Sequence, residues 1–425
     1  MESVERQLQT PDIAQLTAQA AEIEHPLLKP IAFDLQDGLS PDEAAVVAVL
    51  RNPQLLAIRD QHGIANAQLL QAGLLPDPQI SYSFAAPSGG TDLGMINAFG
   101  FGLNWQITSL IWRASKIKAA GLHRQSVDLN IAWQEWQIAQ TAKLAAYQLV
   151  IFNRQEALLR KMAQRLAENY ARLQTAAEEG LVTELERVAA VSAKNLVDNR
   201  LLALIQQKRQ QQKRLNRAMG LQPTEVIPLQ TNINLDELSN TPDYRDLIRD
   251  LPERRMDLLA LQRGYASQDE QVHIAVMQQF PKISIGFNQA RDNSNLYTLG
   301  FGVSMTMPLF NRNQGQIAIQ RATRQQLFDQ YSNRLFQARS DIAELLVTIT
   351  ALQQRIVSVR HAIPELENLV DAYRSALETG QVDVLNYYVA WNRLTDQKII
   401  LLTLILQLLK AHIALEVASG LYQIP

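Results

Sequence analysis

The chain switches between two hydrophobic periods, and the switch points lay out its elements. Ser40-Pro-Asp-Glu supplies an N-cap, a proline at the first helical position and acids in the first turn. Apolar residues then recur at helical spacing through Val46, Leu50, Leu55, Ile58, Ile64 and Leu69, which predicts a helix ending near Gly73. Beyond Pro78 the period falls to two. Ile80, Tyr82 and Phe84 alternate with Gln79, Ser81 and Ser83. After a loop rich in Pro, Ser and Gly, Phe99, Phe101, Leu103, Trp105 and Ile107 alternate with Gly100, Gly102, Asn104 and Gln106. The pattern predicts a β-hairpin over 78–108 with one aromatic and one small or polar face.

Over 115–178 the helical period returns, with Leu144, Tyr147, Ile151, Leu158, Met162, Leu166 and Leu173 in register. A helix of roughly 60 residues is about 90 Å long. A return helix over 184–219 stops at Gly220, with Pro223 beyond. The second half runs through the same order. It has a helix from about Pro252 to Gln279, a hairpin over 281–308, a long helix over 314–377 and a return helix over 384–419. The hairpin alternates Ile283, Ile285 and Phe287, takes Arg291-Asp-Asn-Ser-Asn as its loop, then alternates Tyr297, Leu299, Phe301, Val303, Met305 and Met307. Residues 1–39, punctuated by Pro11, Pro26 and Pro30, read as an extended arm, and 222–250 as a small side domain. Pro364 stands where the first half has Gln164, so only the second long helix is expected to kink.

The two halves, 40–221 and 251–421, form an internal duplication. Gly180 and Gly380 lie 200 positions apart, as do Leu166 and Leu366, Ala190 and Ala390, and Gly220-Leu221 and Gly420-Leu421. The first strands match with an offset of 203, Pro78 to Pro281.

Strand polarity bears on function. Small polar residues on one face and large apolar ones on the other suit a transmembrane β-barrel with a wet lumen. A pair of half-buried hairpins on a soluble domain is the other reading. Two hairpins cannot close a barrel, and an open sheet edge cannot face lipid. Membrane-spanning strands here therefore require an oligomer that shares one barrel.

Composition narrows the classes. The 425 residues are 47% hydrophobic and 19% charged with a formal net charge of −2, which gives no basic field for nucleic acid. Cysteine is absent, which excludes disulfides, thiolate metal sites and a lipidated cysteine in the chain as given. The first ten residues hold no apolar core flanked by positive charge, so no signal peptide is visible. No apolar run long enough for a membrane-spanning helix is expected, the nearest being 399–409. The six histidines are scattered. His361 and Glu365 are one helical turn apart and read as an exposed pair rather than metal ligands. No phosphate loop or nucleophile–base set is present, so an enzyme is not expected, and neither cofactor nor metal is.

Leu75-Pro-Asp-Pro-Gln-Ile, Phe-Gly-Val-Ser-Met-Thr-Met-Pro-Leu-Phe (301–310) and Glu-Thr-Gly-Gln-Val-Asp-Val-Leu (378–385), in this order within duplicated halves, resemble the outer-membrane factor family of TolC-like efflux proteins. The resemblance covers about Ser40 to Leu421. It implies a homotrimer with four strands per protomer in a twelve-stranded barrel, continuous with a long periplasmic α-helical barrel. It also implies an outer-membrane duct for efflux or type I secretion, reaching into the periplasm of a Gram-negative-type cell. The implied partners are a periplasmic adaptor, an inner-membrane pump and outer-membrane lipid. Carried over, Gly180, Leu181, Val182, Gly380, Gln381 and Val382 would be adaptor-docking tips. Asp383 matches the first of two constriction acids, and Asn386 stands where the second is expected. Asp383 is equally a helix N-terminal acid favoured by the dipole. Tyr373 and Arg374 would tether the gate. The alternative is a soluble, elongated helical interaction protein.

Overall fold

The computed structural model describes residues 18, 20–22, 28, 38–90, 94–230, 243–379, 381 and 384–421. Most of the arm at 1–39, the centre of the side domain at 231–242, and Gly380, Val382 and Asp383 lie outside the described residues. In chain order the elements are α1 (Pro41–Arg51), α2 (Pro53–Gly73), β1 (Gln79–Ala85), β2 (Ala98–Gln106), α3 (Arg113–Glu178) and α4 (Glu184–Ala218). They continue with α5 (Tyr244–Ile248), α6 (Leu251–Arg254), α7 (Met256–Met277), β3 (Lys282–Arg291), β4 (Tyr297–Thr306), α8 (Gln314–Glu378) and α9 (Val384–Ser419).

Contacts divide the chain into two compact units. The first comprises 1–56, 132–255 and 337–425; the second comprises 57–131 and 256–336 and holds all four strands. In the first unit, Val46, Val47 and Ala48 of α1 bury against Ala142, Ala145, Ala146 and Leu149 of α3 and Leu215 and Met219 at the end of α4. Alanine at the close points lets these helices approach. Leu39 is buried there too and forms a parallel bridge with Leu229, so the last residue of the arm meets the side domain.

The first helix is not continuous to Gly73, as the periodicity suggested. It breaks at Asn52, whose ψ of 120° is extended, as the proline that follows demands. Asn52 then serves both sides of the break. Its Oδ1 accepts from the Gln54 N–H, and its Nδ2 donates to the Ala218 carbonyl at 2.8 Å. The second half breaks at Arg255, where Nη1 donates to the Ala418 carbonyl at 3.1 Å. Asn52 and Arg255 are 203 positions apart and their acceptors 200, the two offsets already seen in the sequence. The duplication thus extends to the tertiary contact that ends each helix.

In the second unit the two hairpins join into one antiparallel sheet of order β1-β2-β3-β4. The added pairing, β2 with β3, sets Phe101 opposite Gln289, Leu103 opposite Phe287 and Trp105 opposite Ile285. Strand β3 runs four residues past Phe287, so Arg291 is its last residue rather than the start of a loop. The turn that follows is held by Asp292, whose Oδ1 accepts from the N–H groups of Ser294 and Leu296. Asn295 there takes φ 69°.

Helix α8 continues unbroken through Pro364. Both α8 and α9 contain an 18-residue window apolar enough by composition to cross a membrane, where the sequence reading saw only 399–409. Half of the α9 window is buried within the fold. Leu404, Ile405, Leu408 and Leu409 are among its buried residues, the pattern of a helix packed on several sides.

Candidate gate and membrane face

The helix α3 ends in a Schellman turn. The Leu181 N–H reaches back to the Ala176 carbonyl at 2.8 Å and the Gly180 N–H to Ala177 at 3.1 Å. The motif needs a left-handed residue, and Gly180 supplies it with φ 73°. The turn between α8 and α9 repeats the long bond, Gln381 N–H to the Ala376 carbonyl at 2.9 Å. Thr183 caps α4 through a capping box with Glu186. The Thr183 backbone and hydroxyl hold the Glu186 carboxyl below its ordinary pKa. Leu181, Leu185 and Val188 are all exposed around this turn, Leu181 by 73%. Leu185 and Val188 stand at i, i+3 on the first turns of α4, while Leu181 belongs to the turn itself.

Behind the turns lies an apolar cluster drawn from four helices: Met162 and Leu166 (α3), Val197 (α4), Val370 (α8), and Tyr387, Ala390, Trp391 and Leu394 (α9). Tyr373 packs on this cluster, half-buried. Arg374 is exposed and its Nη1 meets Asp371 one turn away on the same helix at 3.2 Å. Asn386 is exposed in the first turn of α9.

Arg165 links the halves. Its Nη1 donates to the Tyr387 hydroxyl at 3.2 Å, and its guanidinium lies 5.0 Å from the Trp391 ring centroid. Tyr387 stands edge-on to Tyr388, centroids 5.3 Å apart. Burial, and then Tyr387, push the Tyr388 phenol up from its ordinary pKa. Further ties run from Arg200 to Asp396 (3.0 Å), Lys398 to Glu367 (2.7 Å) and Lys208 to Glu156 (2.7 Å). Burial pushes the Glu156 carboxyl up, but bonds from Lys208 and Arg160 outweigh it and leave the pKa lowered. A depressed carboxylate stabilises fully above its unfolded pKa and loses that contribution as pH falls through the folded one. This α3–α4 tie is therefore complete at neutral pH and weakens only in acid.

The Arg165 contacts are partly desolvated, since Tyr387 and Trp391 are buried. Arg165→Met is expected to cost about 1–2 kcal/mol. Limited proteolysis at the α3–α4 turn should then be faster than in the parent, and an unchanged rate would remove Arg165 as the brace.

On the sheet, the register keeps every large apolar side chain on one face. Ile80, Tyr82 and Phe84 lie opposite Leu103, Phe101 and Phe99. Ile283, Ile285 and Phe287 lie opposite Met305, Val303 and Phe301. Leu299 and Tyr297 complete β4, and Trp105 completes β2, its indole N–H donating to the Pro76 carbonyl at 2.7 Å. Nothing among the described residues covers this face: Tyr82, Leu299 and Phe301 are among its exposed residues, the last by 75%. The opposite face is Gly, Ala, Ser, Thr, Asn and Gln, with Lys282 at its helix end. A Cβ at Gly102 or Gly300 would meet the Ser81 hydroxyl or the Asn288 amide oxygen, side-chain ends that would have to turn aside. Among the described residues no group of three potential metal ligands occurs.

Residues 247–421 match the family model described as outer membrane efflux protein. No curated protein matches the chain by sequence. Solved structures share its fold. The outer membrane protein VceC of Vibrio cholerae superposes with TM-score 0.72 at 18% identity, covering 89% of this chain and 96% of its own. The CmeC outer membrane channel of Campylobacter jejuni gives 0.76 at 16% identity, covering 97% and 93%. The open state of the MtrE outer membrane channel of Neisseria gonorrhoeae gives 0.74 at 14%, covering 94% and 96%. Residues 247–421 therefore resemble the outer membrane efflux protein family, within a fold that solved outer-membrane channels share along nearly the whole chain.

Proposed function

We propose that this chain is the outer-membrane exit duct of a tripartite efflux machine (RND-type) or a type I secretion system. It is a passive channel and not an enzyme. One observation carries the reading: a four-stranded sheet with an uncovered apolar face and two unpaired edges, β1 and β4. Unpaired backbone groups are not tolerated in hydrocarbon, so a sheet that meets lipid must be closed by other copies. Three protomers joined β4 to β1 make a twelve-stranded barrel, apolar outside and lined inside by small and polar residues. Helix α8 leaves Phe328, Phe336, Val347 and Val357 exposed, apolar surface that neighbouring copies would cover in a helical barrel.

In this assembly the helical turns face the periplasm. Gly180, Leu181 and Val182 with Gly380, Gln381 and Val382 are the adaptor-docking tips, and exposed Leu185 and Val188 on α4 extend that surface. The adaptor in turn joins an inner-membrane pump. Asp383 and Asn386 line the constriction, Asp383 as a ring of like charge that favours cations. Tyr373 and Arg374 hold the closed arrangement from the preceding turn.

Planar-bilayer recording tests the proposal. The protein is expected to give a small, cation-preferring conductance blocked by divalent ions at the periplasmic side, and Asp383→Ala should weaken the block. Unchanged block in that variant takes Asp383 out of the gate. A soluble helical scaffold is separated from a channel by extraction: if the protein leaves membranes in buffer alone, the channel reading fails.

A further inference from the structure

The lipid-side face of the sheet carries one charge among its described residues, and its position is specific. On that face the ladder holds Ile80, Tyr82 and Phe84; Phe99 to Trp105 at alternate positions; Ile283, Ile285 and Phe287; and Tyr297 to Met305 at alternate positions. Only Gln289 and Arg291 interrupt it. Arg291 occupies the last row, paired with Phe99 on one side and Tyr297 on the other, with Phe84 beyond Phe99. This is the loop end of the sheet. The row nearest the helices, Ile283 with Met305, is apolar.

The guanidinium is held rather than free. It lies 4.7 Å from the centroid of the Phe99 ring, and Phe99 meets Tyr297 edge-on with centroids 6.4 Å apart. Its Nη2 donates to the Asn97 carbonyl at 2.8 Å. Its Nε is shielded from solvent with no acceptor among the described residues. No described carboxylate forms an ion pair with it. The neighbouring Asp292 belongs to the opposite face by alternation, and its Oδ1 is committed to the Ser294 and Leu296 N–H groups. The result is a planar cation fixed in an aromatic row, with donors left over.

We propose that Arg291 with the Phe84–Phe99–Tyr297 row is a binding site for the phosphate of an anionic lipid headgroup. A charge on a lipid-facing surface is costly at mid-bilayer and tolerable at the interface, where aromatic residues also gather. The Arg291 row meets both conditions. Guanidinium presents paired N–H donors that match phosphate oxygens, and stacking on Phe99 fixes their direction in advance. The acyl chains of the same lipid then lie along the apolar rows below, from Leu299 and Phe101 toward Met305. Each copy in a shared barrel would carry one such site, anchoring the barrel in height against the outer leaflet.

This inference rests on the membrane reading of the sheet, and the test separates the two. The full-length protein is purified in a neutral detergent with an equimolar mixture of phosphatidylglycerol and phosphatidylcholine, and retained lipids are counted by native mass spectrometry. Preferential retention of phosphatidylglycerol by the parent, reduced about tenfold in Arg291→Gln and largely restored in Arg291→Lys, supports the site. A preference unchanged by Arg291→Gln overturns it while leaving the channel reading intact. Loss of the preference on adding millimolar inorganic phosphate would make the site one for free phosphate and also overturns it. Protein that needs no detergent and retains neither lipid brings down the membrane reading and this site together.

Discussion

Gly220→Ala is expected to destabilise the protein by roughly 4 kcal/mol or more, while Gly180→Ala, an identical change at a similar turn, costs about 1–2 kcal/mol. Both glycines end a long return or outgoing helix with a left-handed residue, φ 66° at Gly220 and 73° at Gly180. Both close a Schellman turn; at Gly220 the Leu221 N–H reaches the Asn216 carbonyl at 2.8 Å. Any L side chain pays the left-handed penalty at either site. The difference is what surrounds them. A Cβ on Gly180 meets open space, whereas on Gly220 it collides with the backbone carbonyl of Arg51 and crowds the Pro53 ring. Backbone cannot rotate away as a side chain can, so the α1–α2 break and the α4 end would have to separate. That separation also strains the bond from Asn52 to Ala218. Thermal unfolding midpoints in detergent decide the matter. Equal losses in the two variants would mean that the contact at Asn52 is not held closed by packing.

The same contact shows where the sequence was and was not legible. Strands β1, β2 and β4 could be read because alternation is a local signal, repeated at every second residue and ended by Gly or Pro. The Asn52 and Arg255 breaks could not. Apolar spacing runs straight across Asn52, and a proline at the first turn of α2 looks like one more helix position. Pro53 favours an extended Asn52, but what holds the break closed is a partner that local sequence does not reveal, the Ala218 carbonyl at a separation of 166. Strand β3 was read short for a related reason. Gln289 and Arg291 are polar on the apolar face, so the alternation ended at Phe287 while the backbone ladder went on.

The candidate site divides in the same manner. Glycines at a fixed offset marked the turns, because a left-handed residue closing a long helix has a strong compositional signature. The brace behind them had none. Arg165 and Tyr387 are 222 positions apart, and an arginine or tyrosine on a helix surface carries no sign of its partner. The pairing of β2 with β3, which turns two hairpins into one sheet, was equally silent. It depends on Ile107 and Thr108 meeting Ile283, with the Ile107 N–H donating to that carbonyl at 3.1 Å.

Lys143→Met should be the second large loss, on the order of 3–5 kcal/mol, although the two side chains are nearly equal in volume. Lys143 is fully buried, and its ammonium meets the Asp42 carboxylate at 2.7 Å. The surroundings are unusually polar for a core. Glu416 is fully buried and His412 nearly so, and burial, then Asp42, then Glu416 push the Tyr147 phenol well above its ordinary pKa. A methionine would satisfy packing and leave the Asp42 carboxylate without this cation. Removing one partner of a buried pair costs more than the pair contributes, because the remaining charge keeps its desolvation penalty. Asp42→Asn in the Lys143→Met background is therefore expected to recover at least about 1 kcal/mol. Additive losses in that double-mutant cycle would show that Lys143 and Asp42 do not act as a pair. Since Asp42 lies in the first turn of α1 and Lys143 within α3, the cycle reports what holds those two helices of the first repeat together.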